Sequence, residues 1–154
     1  MSILSLASAQ SAYRGYDYFK DKKVLSIEQS GDTAFTGVVS GSNGARYDVT
    51  IDLDHPRKSQ CICPHAAGRR VICKHMVALY FTAFPEEAAK YMADLEACWE
   101  EEEQEQEEVQ EKLVSYVYHM KKSKLQEALL TLLMEGPEWQ YDRFVDMYLG
   151  LDDE

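Results

Sequence analysis

The sequence is poor in basic side chains and in long apolar runs. Its 154 residues include 16 lysines and arginines against 27 aspartates and glutamates, for a formal net charge of −11. Nucleic-acid binding relies on cationic side chains, so this balance argues against a chain that grips phosphate over its whole surface. No stretch approaches the roughly 20 apolar residues of a membrane-spanning helix. The N-terminal residues also lack a secretory signal pattern. We therefore expect a cytoplasmic protein with no membrane partner.

Cysteine is also scarce, and three of the four cysteines are crowded into one short segment. Cys61 and Cys63 are separated by a single residue, which is too close for a comfortable disulfide. Without a secretory signal we expect a reducing compartment, in which such cysteines remain thiols. The fourth, Cys98, lies on an amphipathic helical pattern. A free thiol there normally packs as a small core hydrophobe, so we expect Cys98 to be buried.

The crowded segment has the arrangement Cys61-x-Cys63, nine further residues, then Cys73-x-His75. Three thiolates and one imidazole make a complete tetrahedral ligand set for zinc. In a strand, residues i and i+2 project from one face, so the first pair reaches one ion if it is extended. In a helix they lie roughly 200° apart, so Cys73 must stand at or before a helix start and His75 in its first turn. The spacing predicts a zinc site between a strand end and a helix start.

A simpler interpretation of this cluster is a set of buried cysteines beside an incidental histidine. Close clustering in coherent strand and helix contexts favours the metal site instead. His65 lies in the loop between the two pairs of ligands. It is either a fifth donor or, as we expect, a side chain that faces solvent.

The segment lacks the features of a catalytic metal site. Catalytic zinc keeps one coordination position open and usually has a carboxylate nearby as general base. Here four ligands close the shell, and three thiolates make the ion a poor Lewis acid. The HExxH and deaminase signatures are missing, and no acidic residue occurs between Asp54 and Glu86. We therefore predict that the chain is not an enzyme.

The sequence before and through the cysteine segment predicts an α+β fold. We expect one helix from Leu4 to Phe19 and then three strands, at residues 24–29, 34–40 and 45–53. Short turns between consecutive strands favour antiparallel pairing, which gives a small antiparallel sheet. Residues 76–84 are apolar on nearly every side, so a helix there must be covered all round. The metal would clamp this helix to the end of the sheet.

The sequence after Pro85 is helical in pattern and strongly acidic. Residues 86–154 contain twenty acidic and six basic side chains. The run Glu100–Glu108 is expected to be either a solvated helix or a linker. These patterns divide the chain into a zinc-binding domain at residues 1–85 and an acidic helical extension at 86–154.

The extension contains a helix stop at Gly136-Pro137. After it, residues 138–149 are expected to form a last short helix. Its inward side chains are predicted to be Trp139, Phe144, Val145 and Tyr148.

Residues 55–85 form a basic island in this acidic chain. The five basic side chains of this segment, which has no acidic one, are Arg57, Lys58, Arg69, Arg70 and Lys74. A zinc ion with three thiolates and a neutral histidine has a net charge of about −1, so these side chains either offset that charge or form a contact surface. As a surface they would bind phosphate or an acidic protein, weakly and in a salt-dependent way. The sequence leaves both interpretations open.

The quoted motifs resemble the SWIM-type zinc finger, whose pattern is Cys-x-Cys, a variable gap, then Cys-x-His. The likeness extends to the strand from Tyr47 to Ile51, the pair Cys63-Pro64, the run from Cys73 to Leu79, and an upstream stretch from Arg14 to Val24 that is similar to bacterial members. It therefore covers roughly residues 12–84.

The resemblance implies a strand-strand-helix zinc unit with ligands Cys61, Cys63, Cys73 and His75, and an interaction role with DNA or protein. We expect a non-catalytic adaptor that binds a protein partner, because the helical extension offers more surface than the basic island. The alternative is a nucleic-acid-binding finger in a helicase- or transposition-associated complex.

Overall fold

The computed structural model describes residues 2–42 and 44–150, and the chain divides into two compact units, Met1–Ala97 and Cys98–Glu154. The first unit contains an antiparallel sheet with the strands in chain order. They are β1 (Val24–Gln29), β2 (Ala34–Ser40), β3 (Arg46–Asp52) and β4 (Gln60–Cys61). The predicted small antiparallel sheet and the α+β class are confirmed, and the short β4 is added at the edge next to β3.

The N-terminal segment forms two helices, so the expectation of one helix from Leu4 to Phe19 is wrong. Helix α1 (Ile3–Leu6) ends at Ala7, whose backbone is extended, and α2 (Ala9–Lys20) begins after Ser8. The Ser8 side chain accepts a hydrogen bond from the Ser11 N–H and caps α2. Ala7 instead forms a parallel bridge with Ile72, immediately before the second pair of predicted ligands. The break thus gives the N-terminus a contact with the cysteine segment.

Helix α3 (Lys74–Ala83) is the centre of the first unit. Its residues 75–81 are all buried, as its apolar sequence predicts. The largest fully buried side chains around it come from α1, the sheet and α3 itself: Ile3, Val39, Val49, Ile51, Met76, Val77, Leu79 and Phe81. The sheet covers one side of α3 and helix α2 covers another, which satisfies the requirement for cover all round.

Gly15 makes the contact between α2 and α3 possible. A Cβ atom at this position would lie 2.5 Å from Val77 Cβ and 3.0 Å from the Lys74 carbonyl oxygen. The two helices therefore approach more closely than any residue other than glycine permits. This close approach explains a glycine in the middle of a helix, where it costs helix propensity.

A third long helix follows without a loop. Helix α4 (Pro85–His119) begins at the proline that follows the end of α3 and passes through Glu100–Glu108 without a break. That acidic run is therefore a solvated helix. Near the start of α4, Ala88 is buried and the Tyr91 ring lies 5.5 Å from that of Phe81. These contacts add the beginning of α4 to the core of the first unit.

The second unit is helical, with α5 (Lys122–Glu135) and α6 (Glu138–Tyr148) separated at Gly136 and Pro137, as predicted. No side chain in its described part, residues 98–150, is fully buried. The expectation that Trp139 and Tyr148 point inward is wrong, because both are largely exposed. Cys98 is exposed too, so its predicted role in a core is wrong. Within the described residues, no helix has the length and apolar character needed to span a membrane.

Candidate metal centre

The first pair of predicted ligands lies where the sheet ends. Cys61 is the last residue of β4 and is paired with Val49 of β3. The ladder continues for one further bond, in which the Ile62 N–H donates to the Asp48 carbonyl. Cys63 then leaves the sheet, and its carbonyl accepts from the N–H groups of Ala66 and Ala67. Only Cys61 therefore lies within a strand. Cys63 starts a tight turn, and its side chain lies near that of Cys61.

The loop between the two pairs reverses the chain direction. Gly68 has φ of +69°, the left-handed conformation that glycine adopts without a steric penalty. Ala66 is buried beneath the loop, whereas His65 is exposed. His65 therefore faces solvent, as expected, and is not one of the four clustered side chains described below.

The second pair lies at the start of α3, as the spacing predicts. Cys73 is the N-cap residue with an extended backbone, and His75 is the second residue of the helix. The Cys73 carbonyl accepts the first helical hydrogen bond, from the Val77 N–H. Because Cys73 stands outside the helical turn, its side chain and that of His75 reach the same point.

The structure brings the four predicted ligand side chains together. One donor atom each from Cys61, Cys63, Cys73 and His75 lies within 4.8 Å of every other, and all four residues are buried. The Nδ1 atom of His75 is 3.7 Å from the Cys61 sulfur and 3.9 Å from the Cys73 sulfur. Tetrahedral zinc would separate its sulfur and nitrogen donors by about 3.6 Å. The cluster is therefore suited to zinc in both spacing and donor chemistry.

The two cysteines beside His75 have shifted acidities. A hydrogen bond from the Cys61 thiol lowers the pKa of Cys73 to about 4, helped by His75 and by backbone N–H groups at the start of α3, although burial opposes the shift. The same hydrogen bond, together with burial, raises the pKa of Cys61. Cys73 is therefore the more acidic thiol of the pair, and the thiolate is the form of cysteine that binds a metal cation.

Two tyrosines that the ligand pattern does not predict surround the histidine. The Tyr47 ring of β3 lies 4.8 Å from the His75 ring, and the Tyr18 ring of α2 lies 5.4 Å from it, edge-on. The Lys74 ammonium is 4.4 Å from the Tyr18 ring centroid. For Tyr47 the sequence holds a signal, because it shares a strand face with Val49, the partner of Cys61. Tyr18 has no such signal, since its contact depends on how α2 packs.

The basic island is divided between two places. Four of its five side chains line one cleft of about 790 Å³: Arg57, Lys58, Arg69 and Arg70. Among the described residues, no acidic one lines this cleft. All four are exposed, and Ile62 lies among them with 58% of its surface exposed. Lys74 lines a smaller cleft of about 210 Å³ with Arg14, Cys63 and Cys73. Lys74 is thus placed to offset charge at the metal centre, while the other four form a second surface, the basic cleft, which Cys61 also lines.

A comparison with protein families matches this region. Residues 47–84 fit the family model of the SWIM zinc finger, so the predicted resemblance is confirmed for this segment. The match begins at Tyr47 and ends with Phe84, and it includes all four clustered residues. It does not extend upstream to residues 12–46. No curated protein and no solved structure matches the chain.

Proposed function

We propose, from the premise that residues 47–84 form a SWIM zinc finger, that this protein is a non-catalytic adaptor that binds a protein partner. In this proposal Cys61, Cys63, Cys73 and His75 hold one structural zinc ion. Four buried donors complete the preferred coordination of zinc and leave no position for a reacting water. The ion would join the end of the sheet to the start of α3.

Zinc content tests the first part of the proposal. Protein purified without chelator should contain one zinc per chain by elemental analysis, and three of its four thiols should react only after the metal is removed. Cys98, which is exposed, serves as the internal control because it should react at once. If the protein purified without chelator contains no metal and is nevertheless stably folded, the proposed ligand role is refuted.

The observation that supports a protein partner is the exposed apolar surface of the second unit. Its described residues expose large apolar side chains on every helix: Trp99, Val109, Leu113, Val114, Tyr116, Val117, Tyr118, Leu125, Leu129, Leu130, Leu132, Met134, Trp139, Tyr141, Met147, Tyr148 and Leu149. Monomeric proteins rarely leave so much apolar surface in contact with water, and such surfaces mark interaction sites. We therefore assign the partner surface to this unit.

Spacing and charge indicate the chemistry of that partner. On α4, Val109, Leu113 and Tyr116 follow at i, i+4 and i+7, which is the pattern of a helix that lies in an apolar groove. Glu107, Glu108 and Glu111 make the surroundings of this stripe acidic. The expected partner is a protein with an apolar groove bordered by basic side chains, whose charge complements the acidic helices.

Affinity capture with matched variants tests this assignment. The wild-type chain should retain one protein in stoichiometric amount. Leu113→Ser together with Leu129→Ser should release it, while Gln104→Ser together with Gln110→Ser, on exposed polar positions of α4, should not. Analytical ultracentrifugation of the isolated chain distinguishes self-association. Retention by all variants, or capture of nothing in stoichiometric amount, would contradict the proposal.

The basic cleft supports nucleic-acid binding as a second candidate function. Its four cationic side chains share one surface, and none of them forms an ion pair within the described residues 2–42 and 44–150. With four phosphate contacts, the logarithm of the association constant for duplex DNA should fall linearly with the logarithm of the salt concentration, with a slope of about −3.6. Such binding should be weak and should disappear at moderate salt.

Fluorescence anisotropy with single- and double-stranded DNA separates the two candidates. Arg69→Glu with Arg70→Glu should abolish binding through the cleft. Lys122→Glu with Lys124→Glu makes the same charge change on α5, outside the cleft, and is the matched control. If only the cleft variant loses salt-sensitive binding, the nucleic-acid function replaces the adaptor function.

We also propose a cytoplasmic location, because a reducing compartment keeps the three zinc-binding thiols from oxidation.

A further inference from the structure

The His75 ring is held between aromatic neighbours from two parts of the chain. Tyr47 belongs to β3 and lies within the matched segment, residues 47–84. Tyr18 belongs to α2 and lies outside it. The Tyr18 and His75 rings meet at 63°, and the Lys74 ammonium lies over the Tyr18 ring. A helix outside the zinc finger thus contacts one of its proposed ligands.

The orientation of the histidine identifies which nitrogen is left for this neighbour. Nδ1 faces the sulfur atoms of Cys61 and Cys73, at 3.7 and 3.9 Å. If Nδ1 binds the metal, the neutral imidazole has its proton on Nε2, which becomes a hydrogen-bond donor. Nε2 is buried and has no partner. A metal-bound histidine almost always donates this second N–H to an acceptor.

The Tyr18 hydroxyl is buried without a partner as well. Across residues 2–42 and 44–150, these two are the only buried side-chain nitrogen or oxygen atoms without a hydrogen bond. They belong to rings in contact with each other, and one is a donor while the other can accept. Buried polar groups in folded proteins are nearly always paired. Their joint occurrence beside one proposed ligand therefore points to a shared purpose.

We propose that Tyr18 is a positioning residue of the metal centre. With zinc bound, its hydroxyl accepts a hydrogen bond from Nε2–H of His75, directly or through one water. The two atoms are not hydrogen-bonded to each other in the structure, so the proposed bond requires a shift of the two side chains when zinc binds, or one bridging water. The bond keeps the proton on Nε2 and holds Nδ1 toward the sulfurs. This inference rests on the proposal that His75 is a zinc ligand.

Zinc affinity of the full chain, measured by competition with a chelating dye, tests the role. Tyr18→Phe keeps the ring and removes the hydroxyl, and should weaken zinc binding about 10–100-fold. Tyr47→Phe is the matched control, because it removes the hydroxyl of the other tyrosine in contact with His75. The Tyr47 hydroxyl is not one of the unpaired buried atoms. It should bind zinc as wild type does. Equal affinities of wild type and Tyr18→Phe would overturn the inference.

Cobalt spectra separate a positioning role from a general loss of stability. The Co²⁺-loaded Tyr18→Phe chain should show shifted d–d absorption bands, since the histidine is no longer fixed, while Tyr47→Phe keeps the wild-type spectrum. A lower melting temperature with an unchanged cobalt spectrum and zinc affinity would show that Tyr18 only packs, and would refute the role. If the wild-type chain binds no zinc, the ligand proposal itself fails. If wild type binds zinc and Tyr18→Phe matches it, only this inference fails.

Discussion

Helix α3 in the first unit and helices α5 and α6 in the second are all rich in apolar residues, yet they are buried to opposite extents. Residues 75–81 of α3 are all buried, whereas α5 and α6 have no buried residue. The apolar positions of α3 occur on every side, and the sheet, α2 and the proposed zinc site surround it. Those of α5 and α6 remain exposed or only half-buried within the described residues 98–150. Apolar content alone therefore does not tell a core helix from an interaction helix.

Removal of the metal should unfold part of the first unit and leave the helices of the second unit folded. Cys73→Ala leaves an incomplete ligand set, and structural zinc contributes about 10–16 kcal/mol of apparent binding free energy in small zinc-dependent folds. We expect loss of zinc and unfolding of residues 55–85, with the helices of residues 98–150 retained. Hydrogen exchange and zinc stoichiometry measure both effects.

The matched control for this prediction is Cys98→Ala, which removes an exposed cysteine outside the cluster. It should keep its zinc and its melting curve. A Cys73→Ala variant that melts like wild type would show that the site does not stabilise the fold.

Two leucine-to-alanine substitutions test the contrast in burial directly. Leu79 of α3 is fully buried, and Leu132 of α5 has 64% of its surface exposed. Leu79→Ala should lower the free energy of unfolding by about 2–5 kcal/mol, because it leaves a cavity. Leu132→Ala should change it by no more than about 0.5 kcal/mol. Urea unfolding of both variants gives the values. Comparable losses at the two sites would mean that the second unit has a core of its own.

Gly15→Ala tests how closely the first unit is packed. Alanine is the better helix former by about 1 kcal/mol, so propensity alone predicts a gain. The new methyl group would instead meet Val77 and the Lys74 carbonyl, and we expect a net loss of about 1–3 kcal/mol by thermal unfolding. The double variant Gly15→Ala with Val77→Ala should recover part of that loss. If Gly15→Ala stabilises the protein, α2 and α3 leave room for a methyl group and are not in the close contact that requires glycine.

The smallest effect is expected from the one lysine–glutamate pair found among the described residues. Lys112 Nζ lies 3.0 Å from Glu108 on α4, with both side chains mostly exposed. Lys112→Ala should cost about 0.3–0.5 kcal/mol at low salt and nothing measurable at high salt, because solvent and salt screen the pair. Circular dichroism at 222 nm as a function of temperature measures the change. A larger or salt-independent loss would point to packing around α4.

The local features of the metal centre could be predicted from the sequence, because they depend on residues that are neighbours along the chain. The two-residue spacing of Cys61 and Cys63 and the position of Cys73 before α3 follow from backbone geometry. The strands and the stop at Gly136 follow from turns and periodicity in the same way. The contact residues of the basic island stay a prediction, since the structure gives their positions and not their partner.

The features that could not be predicted depend on contacts between distant residues. The break between α1 and α2 accompanies the bridge from Ala7 to Ile72, although the capping serine Ser8 was a local signal that the apolar pattern concealed. Tyr18 reaches His75 only through the packing of α2 on α3. Trp139 and Cys98 were expected inside because apolar residues on a helix usually find a core. Within residues 98–150, however, neither side chain is buried by a neighbouring element.

The close packing of α2 on α3 sets the smallest piece of this protein that can be transplanted. Residues 47–84 contain every proposed ligand, but not Gly15 and the helix around it. An excised finger of that length would expose Val77 and Phe81 to water and would be prone to aggregate. A soluble graft has to run from α1 through Ala88, or bring a substitute helix from its new host.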